Sequence, residues 1–212
     1  MKNIKFEKYC TSKTSKCAII AIHGWKGNRY SLKQVAVSLN LKNVEWFFPE
    51  APYIVDDNEK ERSWSYETKE GLWERNEPKK LMNEFINDQI LVKYKSKDVF
   101  FIGFSQGALM CYEYVLNTPH TWAGVIPIAG FMLDTENQNK IRLHPNQKNT
   151  PIIIGHGIQD KIVKLKSSEL AYSYLKKYGA NVELITYSGN HKIGIQFLRR
   201  IRQFIESTVE SN

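Results

Sequence analysis

Gly103-Phe104-Ser105-Gln106-Gly107 sets one serine between two glycines, each two residues away. A bare G-x-S-x-G match is expected by chance about 0.04 times in a chain of this composition, so context has to carry any reading. The match follows the apolar run Val99 to Phe104 and precedes a stretch of helical period, Gln106 to Leu116. A serine on such a strand-to-helix turn is held in a strained backbone conformation with its hydroxyl aimed into a cleft. Side chains at the flanking positions would clash there, which is why glycines are needed. The plain alternative is a glycine-rich turn that only joins a strand to a helix.

A serine hydroxyl is a weak nucleophile. It needs a base, and the base needs an orienting carboxylate. In a strand–turn–helix setting of this kind the chain order is serine, acid, histidine. Four of the five histidines follow Ser105: His120, His144, His156 and His191. His191 lies in Ser188-Gly189-Asn190-His191-Lys192, a turn just past the last expected strand, where an imidazole can reach back over the strand ends. His120 and His144 adjoin prolines in connecting segments and read as surface residues. His156 ends an apolar strand and reads as structural. Asp160, in Gly155-His156-Gly157-Ile158-Gln159-Asp160, follows the apolar run Ile152 to Ile154 and stands between Ser105 and His191 in order. Asp134, with Glu136 behind it, is the competitor.

Acyl transfer also needs donors for a developing oxyanion. The backbone N–H of Gln106, next to the serine, is the first candidate. A turn after an early strand should supply the second, and His23-Gly24-Trp25-Lys26-Gly27 fits, with the N–H of Trp25 assigned. Trp64, Tyr66 and Trp73 in the long segment 50–76, and Phe131, Met132 and Leu133 after a later strand, are expected to wall an acyl pocket. The bland alternative is that the aromatics pin their loop to the core.

The elements that would carry these groups alternate. Short apolar runs at 17–22, 44–48, 99–104, 124–129 and 152–154 read as buried strands. Residues 4–9 and 182–187 alternate and read as half-exposed ones. The turn 13–16 could join the first two strands as a hairpin. Helical periods fall at 31–41, 77–94, 106–116, 164–178 and 193–209, with Gly179 expected to close the fourth. This pattern predicts an α/β fold with a mostly parallel twisted sheet of about seven strands and helices on both faces. The first strand is expected to be antiparallel, and 50–76 and 131–150 are read as long functional loops. Ligands in such folds sit beyond the carboxyl ends of the strands.

The chain has 212 residues, 42% hydrophobic and 25% charged, which fits one globular domain spanning 1–212 and excludes collagen-like or disordered chains. No apolar run approaches the roughly 20 residues of a membrane helix, and the first nine residues lack the apolar block of a secretory signal. The three cysteines, Cys10, Cys17 and Cys111, are odd in number and not in metal-ligand spacing, which suits a reduced cytoplasmic setting. Cys111 reads as buried packing. Thirty basic residues against 22 acidic give +8. That balance allows weak contact with an anionic membrane surface. No nucleic-acid motif accompanies the densest basic site, Lys192 with Arg199, Arg200 and Arg202, so no nucleic-acid partner is expected.

Several motifs appear in one order: Ile22-His23-Gly24-Trp25, Phe48-Pro49-Glu50-Ala51-Pro52, Ser63-Trp64, Gly103-Phe104-Ser105-Gln106-Gly107-Ala108, Gly155-His156-Gly157-Ile158-Gln159-Asp160 and Gly189-Asn190-His191-Lys192-Ile193. Together, over about 17–205, they resemble the carboxylesterase/phospholipase family of α/β-hydrolases, in the branch that includes acyl-protein thioesterases. The resemblance implies the α/β-hydrolase fold and a serine hydrolase without cofactor or metal. It implies Ser105, Asp160 and His191 as a triad and Trp25 and Gln106 as the oxyanion-hole amides. The expected substrate is a small acyl ester or thioester or an acylated protein, the expected state a monomer or homodimer. Where the family often shows a Gly-aspartate pair after the first oxyanion residue, this chain has Lys26-Gly27-Asn28. A peptidase or lactonase on the same fold, or a non-catalytic binding protein that keeps it, are the other readings.

Overall fold

The computed structural model describes residues 3–132 and 143–211. In chain order the elements are β1 (Phe6–Cys10), β2 (Cys17–Ile22), α1 (Lys33–Leu39), β3 (Val44–Pro49), β4 (Tyr53–Val55), β5 (Asn58–Ser63), β6 (Tyr66–Glu67) and β7 (Trp73–Glu74). There follow α2 (Asn76–Phe85), β8 (Val99–Phe104), α3 (Gln106–Glu113), β9 (Gly124–Ile128), β10 (Ile152–Gly157), α4 (Leu165–Lys177), β11 (Val182–Tyr187) and α5 (Ile195–Ser211).

Seven strands form one sheet in the order β1-β3-β2-β8-β9-β10-β11. All neighbours are parallel except β1, which runs antiparallel to β3. The continuous apolar runs become the inner strands: every residue of β2, β3, β9 and β10 is buried. A strand covered on both faces has no solvent side to alternate with, so its sequence shows no period. The alternating Val182–Tyr187 lies at the sheet edge, as its pattern requires.

The expected 13–16 hairpin does not form. Phe6 pairs with Pro49 and Cys10 with Glu45, so β3 sits between the first two strands. Parallel pairing of β3 with β2 fills the edge a hairpin would have used.

Helices cover both faces. On one side α1 and α5 pack Ala36, Leu39, Phe197, Ile201 and Ile205 against Ile19, Ala21, Trp46 and Ile102. On the other, α2, α3 and α4 bring Met82, Phe85, Met110, Ala171 and Leu175 onto Ile20, Phe47, Phe101 and Ile154. Each large apolar side chain so buried contributes about 2 kcal/mol relative to exposure. The helical period 77–94 is broken: α2 ends at Phe85 and Ile86–Ile90 forms a π turn, closed by Leu91 N–H to the Ile86 carbonyl at 2.9 Å. The extra residue per turn keeps Phe85, Ile86 and Ile90 together on the core side. Gly179 closes α4 with φ of +77°, its N–H on the Lys176 carbonyl and that of Ala180 on Leu175, both at 3.0 Å.

The segment 50–76, expected as a loop, holds two small hairpins, β4 with β5 and β6 with β7. Part of the second long loop, with Leu133, Asp134 and Glu136, lies outside the described residues.

Candidate active site

Ser105 follows β8 and immediately precedes α3. Its φ is +54°, a backbone conformation a non-glycine residue rarely adopts. Two contacts hold it there: the Ser105 N–H donates to the Ile128 carbonyl at 2.8 Å, and the Ser105 carbonyl accepts from Ala108 at 2.9 Å. A Cβ on Gly107 would lie 2.1 Å from the Ile22 carbonyl oxygen, and one on Gly103 would lie 2.3 Å from the Gly107 carbonyl oxygen. The turn therefore presses directly on the end of β2.

Asp160 sits three residues beyond β10, and His191 four residues beyond β11. These strands are paired, with His156 opposite Thr186 and Gly157 opposite Tyr187, so their outgoing turns are neighbours. The Ile158 N–H reaches the Tyr187 carbonyl and the Gln159 N–H the Gly189 carbonyl, each at 2.9 Å. A Cβ on Gly157 would stand 2.5 Å from the carbonyl oxygens of Gly189 and Asn190, so only glycine lets the two turns touch.

Three distant stretches thus converge. His191 Nδ1 lies 2.7 Å from Asp160 Oδ2, and His191 Nε2 lies 3.1 Å from Ser105 Oγ. An ionised carboxylate only accepts, so Nδ1 carries the proton and Nε2 is left to accept the serine hydroxyl. Asp160 Oδ1 accepts the N–H groups of Ile162 at 2.9 Å and Val163 at 3.0 Å. Burial by itself pushes the Asp160 carboxyl up. The His191 hydrogen bond and the two backbone donors outweigh it, and the carboxyl ends below its ordinary value. Phe104 packs its ring 4.9 Å from the imidazole of His191.

His156 stands behind the carboxylate, fully buried. Its Nδ1 lies 2.7 Å from Ser168 Oγ and its Nε2 2.8 Å from the Val163 carbonyl. The carbonyl can only accept, so Nε2 bears a proton and ties down the turn that carries Asp160. His120 and His144 take no part in this chain of bonds: the His120 ring packs on Trp122 at 5.1 Å, and His144 Nδ1 accepts from Asn146 N–H at 3.2 Å.

Gln106 follows Ser105 directly, Trp25 lines the same cleft as Ser105, and a Cβ on Gly24 would lie 3.2 Å from Ser105 Cβ. No described residue accepts a hydrogen bond from the Trp25 or the Gln106 N–H. The Trp25 turn is closed within by Gly27 N–H on the Gly24 carbonyl at 3.0 Å and held from outside by Arg62 N–H on the Gly27 carbonyl at 3.0 Å. Lys26, at the departure from the family pattern, binds Asp56 at 2.6 Å and Glu61 at 3.4 Å. His23 donates from Nδ1 to the Gly24 carbonyl at 2.7 Å and accepts at Nε2 from Ala51 N–H at 3.1 Å.

Beside Ser105 opens a cleft of about 770 Å³, running between α1 and the start of α5. Leu32, Val35, Phe104, Ile162, Ile193 and Leu198 give it apolar walls, and Trp25 stands at its rim. The aromatics expected to wall an acyl pocket are not among its lining residues. Trp64 is 1% exposed, its indole turned into the core to meet His23. Tyr66 and Trp73 lie exposed on the β6–β7 hairpin, and the Tyr66 ring packs on Tyr53 at 4.7 Å. Phe131 and Met132 are half-buried, with Met132 packed on the opposite core cluster. Leu133 is outside the described residues.

Leu32 and Val35 belong to the helical period 31–41 and carry no mark of a binding role in the sequence. The available signal was position: this helix directly follows the Trp25 turn, so its first residues must border whatever that turn faces.

Residues 5–209 match the model of the phospholipase/carboxylesterase family. The chain is 27% identical over 189 residues to carboxylesterase SOBER1 of Arabidopsis thaliana, covering 82% of each. It is 26% identical over 208 residues to acyl-protein thioesterase 1 homolog 2 of Dictyostelium discoideum, covering 91% of this chain and 93% of the relative. The crystal structure of esterase PE8 shares the fold with a TM-score of 0.82 at 20% identity, over 98% of this chain and 100% of that one. The chain belongs to the phospholipase/carboxylesterase family, hydrolases acting on ester bonds.

Proposed function

Within that family, we propose that this chain cleaves carboxylic esters and thioesters of short to medium acyl groups through a Ser-His-Asp triad and an acyl-enzyme. The observation that carries the reading is the unbroken hydrogen-bond chain from Asp160 through His191 to Ser105.

Ser105 Oγ attacks the acyl carbonyl carbon, and its proton passes to His191 Nε2. Asp160 holds the imidazole in the required tautomer and stabilises the imidazolium. The carbonyl oxygen becomes an oxyanion held by the Trp25 and Gln106 amides. His191 returns the proton to the departing alcohol or thiol as the bond between carbonyl carbon and leaving group breaks. Water then adds to the acyl-enzyme with His191 as base, releasing the carboxylic acid and restoring the serine.

The apolar walls of Leu32, Val35, Ile193 and Leu198 support an acyl chain as the part of the substrate that enters the cleft. Relatives named acyl-protein thioesterase support thioesters, on small molecules or on proteins, within the range. The test is kcat/KM against nitrophenyl esters of rising chain length, with an acyl-thioester alongside. A rise with chain length up to a medium optimum is expected. Equal rates for all chain lengths, or no turnover of either class, would overturn the proposal.

A further inference from the structure

The turn that carries His191 follows β11, the last strand of the sheet, so among the described residues only one strand lies beside it. That neighbour is β10, and the backbone bonds from its outgoing turn reach Tyr187 and Gly189, two residues short of His191. His191 itself is the middle residue of a three-residue turn, closed by the Lys192 N–H on the Asn190 carbonyl at 2.7 Å. A turn this small buries little of its own surface, so a fixed direction has to come from ties to its surroundings.

Two side chains supply such ties, one at each end. Tyr187, the last residue of β11, is 2% exposed, and its ring stacks on Phe197 of α5 with centroids 5.6 Å apart. From there the phenol O–H donates to the Lys192 carbonyl at 2.7 Å. Burial pushes the phenol up to about 12 from an ordinary 10, so it remains a donor at neutral pH. A Cβ on Gly194 would lie 2.5 Å from Tyr187 Cδ2, so the chain leaving the turn runs against the same ring. At the other end the Gly189 N–H donates to the side-chain carbonyl of Gln159, whose backbone N–H in turn meets the Gly189 carbonyl at 2.9 Å.

The imidazole has to keep two bonds at once, to Asp160 and to Ser105. The bond at Nδ1 fixes a distance to Asp160 and leaves the aim of Nε2 to the backbone that carries the ring. Resting on the Ser-His-Asp reading above, we propose that Tyr187 and Gln159 are positioning residues, which hold the turn 189–192 so that His191 Nε2 stays within reach of Ser105 Oγ. They act through the backbone of His191, so their loss falls on the chemical step and leaves substrate binding nearly intact. A displacement of about 1 Å at a reacting group can cost about a hundredfold; with the Asp160 bond and one tie retained, about tenfold is expected.

Tyr187→Phe keeps the ring on Phe197 and removes only the hydroxyl. Gln159→Met keeps the length of an exposed side chain and removes the acceptor, and Gln159→Glu restores one. Sites are counted by fluorophosphonate titration, so that kcat refers to folded, reactive protein. Rates are taken with nitrophenyl butyrate at about pH 8.5, above the ordinary histidine range. Tyr187→Phe and Gln159→Met should each lower kcat per site about tenfold with KM within about twofold, and Gln159→Glu should recover most of the loss. A residue that only stabilised the fold would lower the melting temperature and leave kcat per site unchanged. A kcat per site within about twofold of wild type in either Tyr187→Phe or Gln159→Met, a loss that falls on KM instead, or no recovery in Gln159→Glu overturns the proposal. Should Tyr187→Phe fail to fold, the exposed Gln159 pair decides alone. Wild-type turnover reports on the hydrolase reading separately: turnover with unaffected variants removes only the positioning role, and no turnover by the wild type removes both.

Discussion

The indole N–H of Trp64 donates to the carbonyl oxygen of His23 at 2.9 Å. This one bond joins segment 63–65 to the turn that presents the Trp25 amide. The same segment is tied to the other amide: Gln106 Oε1 accepts the Trp64 N–H at 3.0 Å, and Gln106 Nε2 donates to Ser63 Oγ at 2.9 Å and Ser65 Oγ at 2.8 Å. A buried clamp therefore ties the Trp25 turn to Gln106 from behind, and with it the two amides proposed as oxyanion donors.

Trp64→Phe keeps most of the apolar bulk and removes the bond to His23. Losing an oxyanion donor outright costs about 10²–10³ in kcat, so loosening one should cost about tenfold. KM should change by less than about twofold, because the transition state alone uses the donors. Steady-state ester hydrolysis by the variant checks this. A rise in KM at constant kcat would make Trp64 a substrate contact or a plain packing residue instead.

Asp160→Asn places an amide where His191 Nδ1 needs an acceptor. Either the wrong tautomer results or the bond is lost, and kcat should fall by about 10³–10⁴. The asparagine side-chain oxygen can still receive the Ile162 and Val163 donors, so a melting temperature within a few degrees of wild type is expected. Kinetics and a thermal scan on the same preparation decide whether the loss is chemical or a failure to fold.

Burial pushes the His23 imidazole down to about 4 from an ordinary 6.5, with the bond to Gly24 opposing and the Arg62 charge assisting. Between those values the unfolded chain binds a proton that the folded one refuses. Stability is therefore full above about pH 6.5 and declines as pH falls toward 4, by up to about 3 kcal/mol. Asp160, held below its ordinary 3.8, adds a loss only at still lower pH. Urea midpoints at pH 7.5, 6 and 5 should fall in wild type and flatten in His23→Asn. Equal slopes in both proteins would remove His23 as the cause.

Gly107→Ala would set a methyl group against the Ile22 carbonyl, where both sides are backbone. No side-chain rotation relieves that contact. A loss of at least about 2 kcal/mol, read as a lower denaturant midpoint, is expected, with activity falling further as the Ser105 turn shifts. An alanine variant with wild-type midpoint and rate would mean the turn is free to move.

The parts of the site legible in the sequence were those marked by order and backbone demand. Ser105 announced itself through flanking glycines between an apolar run and a helical period. Asp160 and His191 followed from lying just past strands, in the right sequence. The inner sheet was legible for the same reason, since strands buried on both faces have no polar positions. What sequence could not supply was the direction in which a side chain points. Trp64 and Trp73 share one segment, yet one is 1% and the other 54% exposed. Nothing local distinguishes them, because the difference arises from Gln106 and His23, distant in sequence. Pairing partners were equally hidden. The strand Asn58–Ser63 reads NEKERS, with no β-forming pattern, and is held by β4 and by the bridge from Arg62 to Gly27. The first strand passed over a short turn to pair with β3, because the choice among partners belongs to the whole sheet.

The central claim is that Ser105 is the nucleophile, activated by His191. The direct measurement is intact-mass and peptide mapping of the protein after reaction with a fluorophosphonate. One adduct on Ser105 is expected, with esterase activity lost in step with labelling. It should be absent from Ser105→Ala, whose turnover should fall at least about a thousandfold. Full esterase activity in Ser105→Ala, or labelling that silences the enzyme from a different serine, would contradict the account.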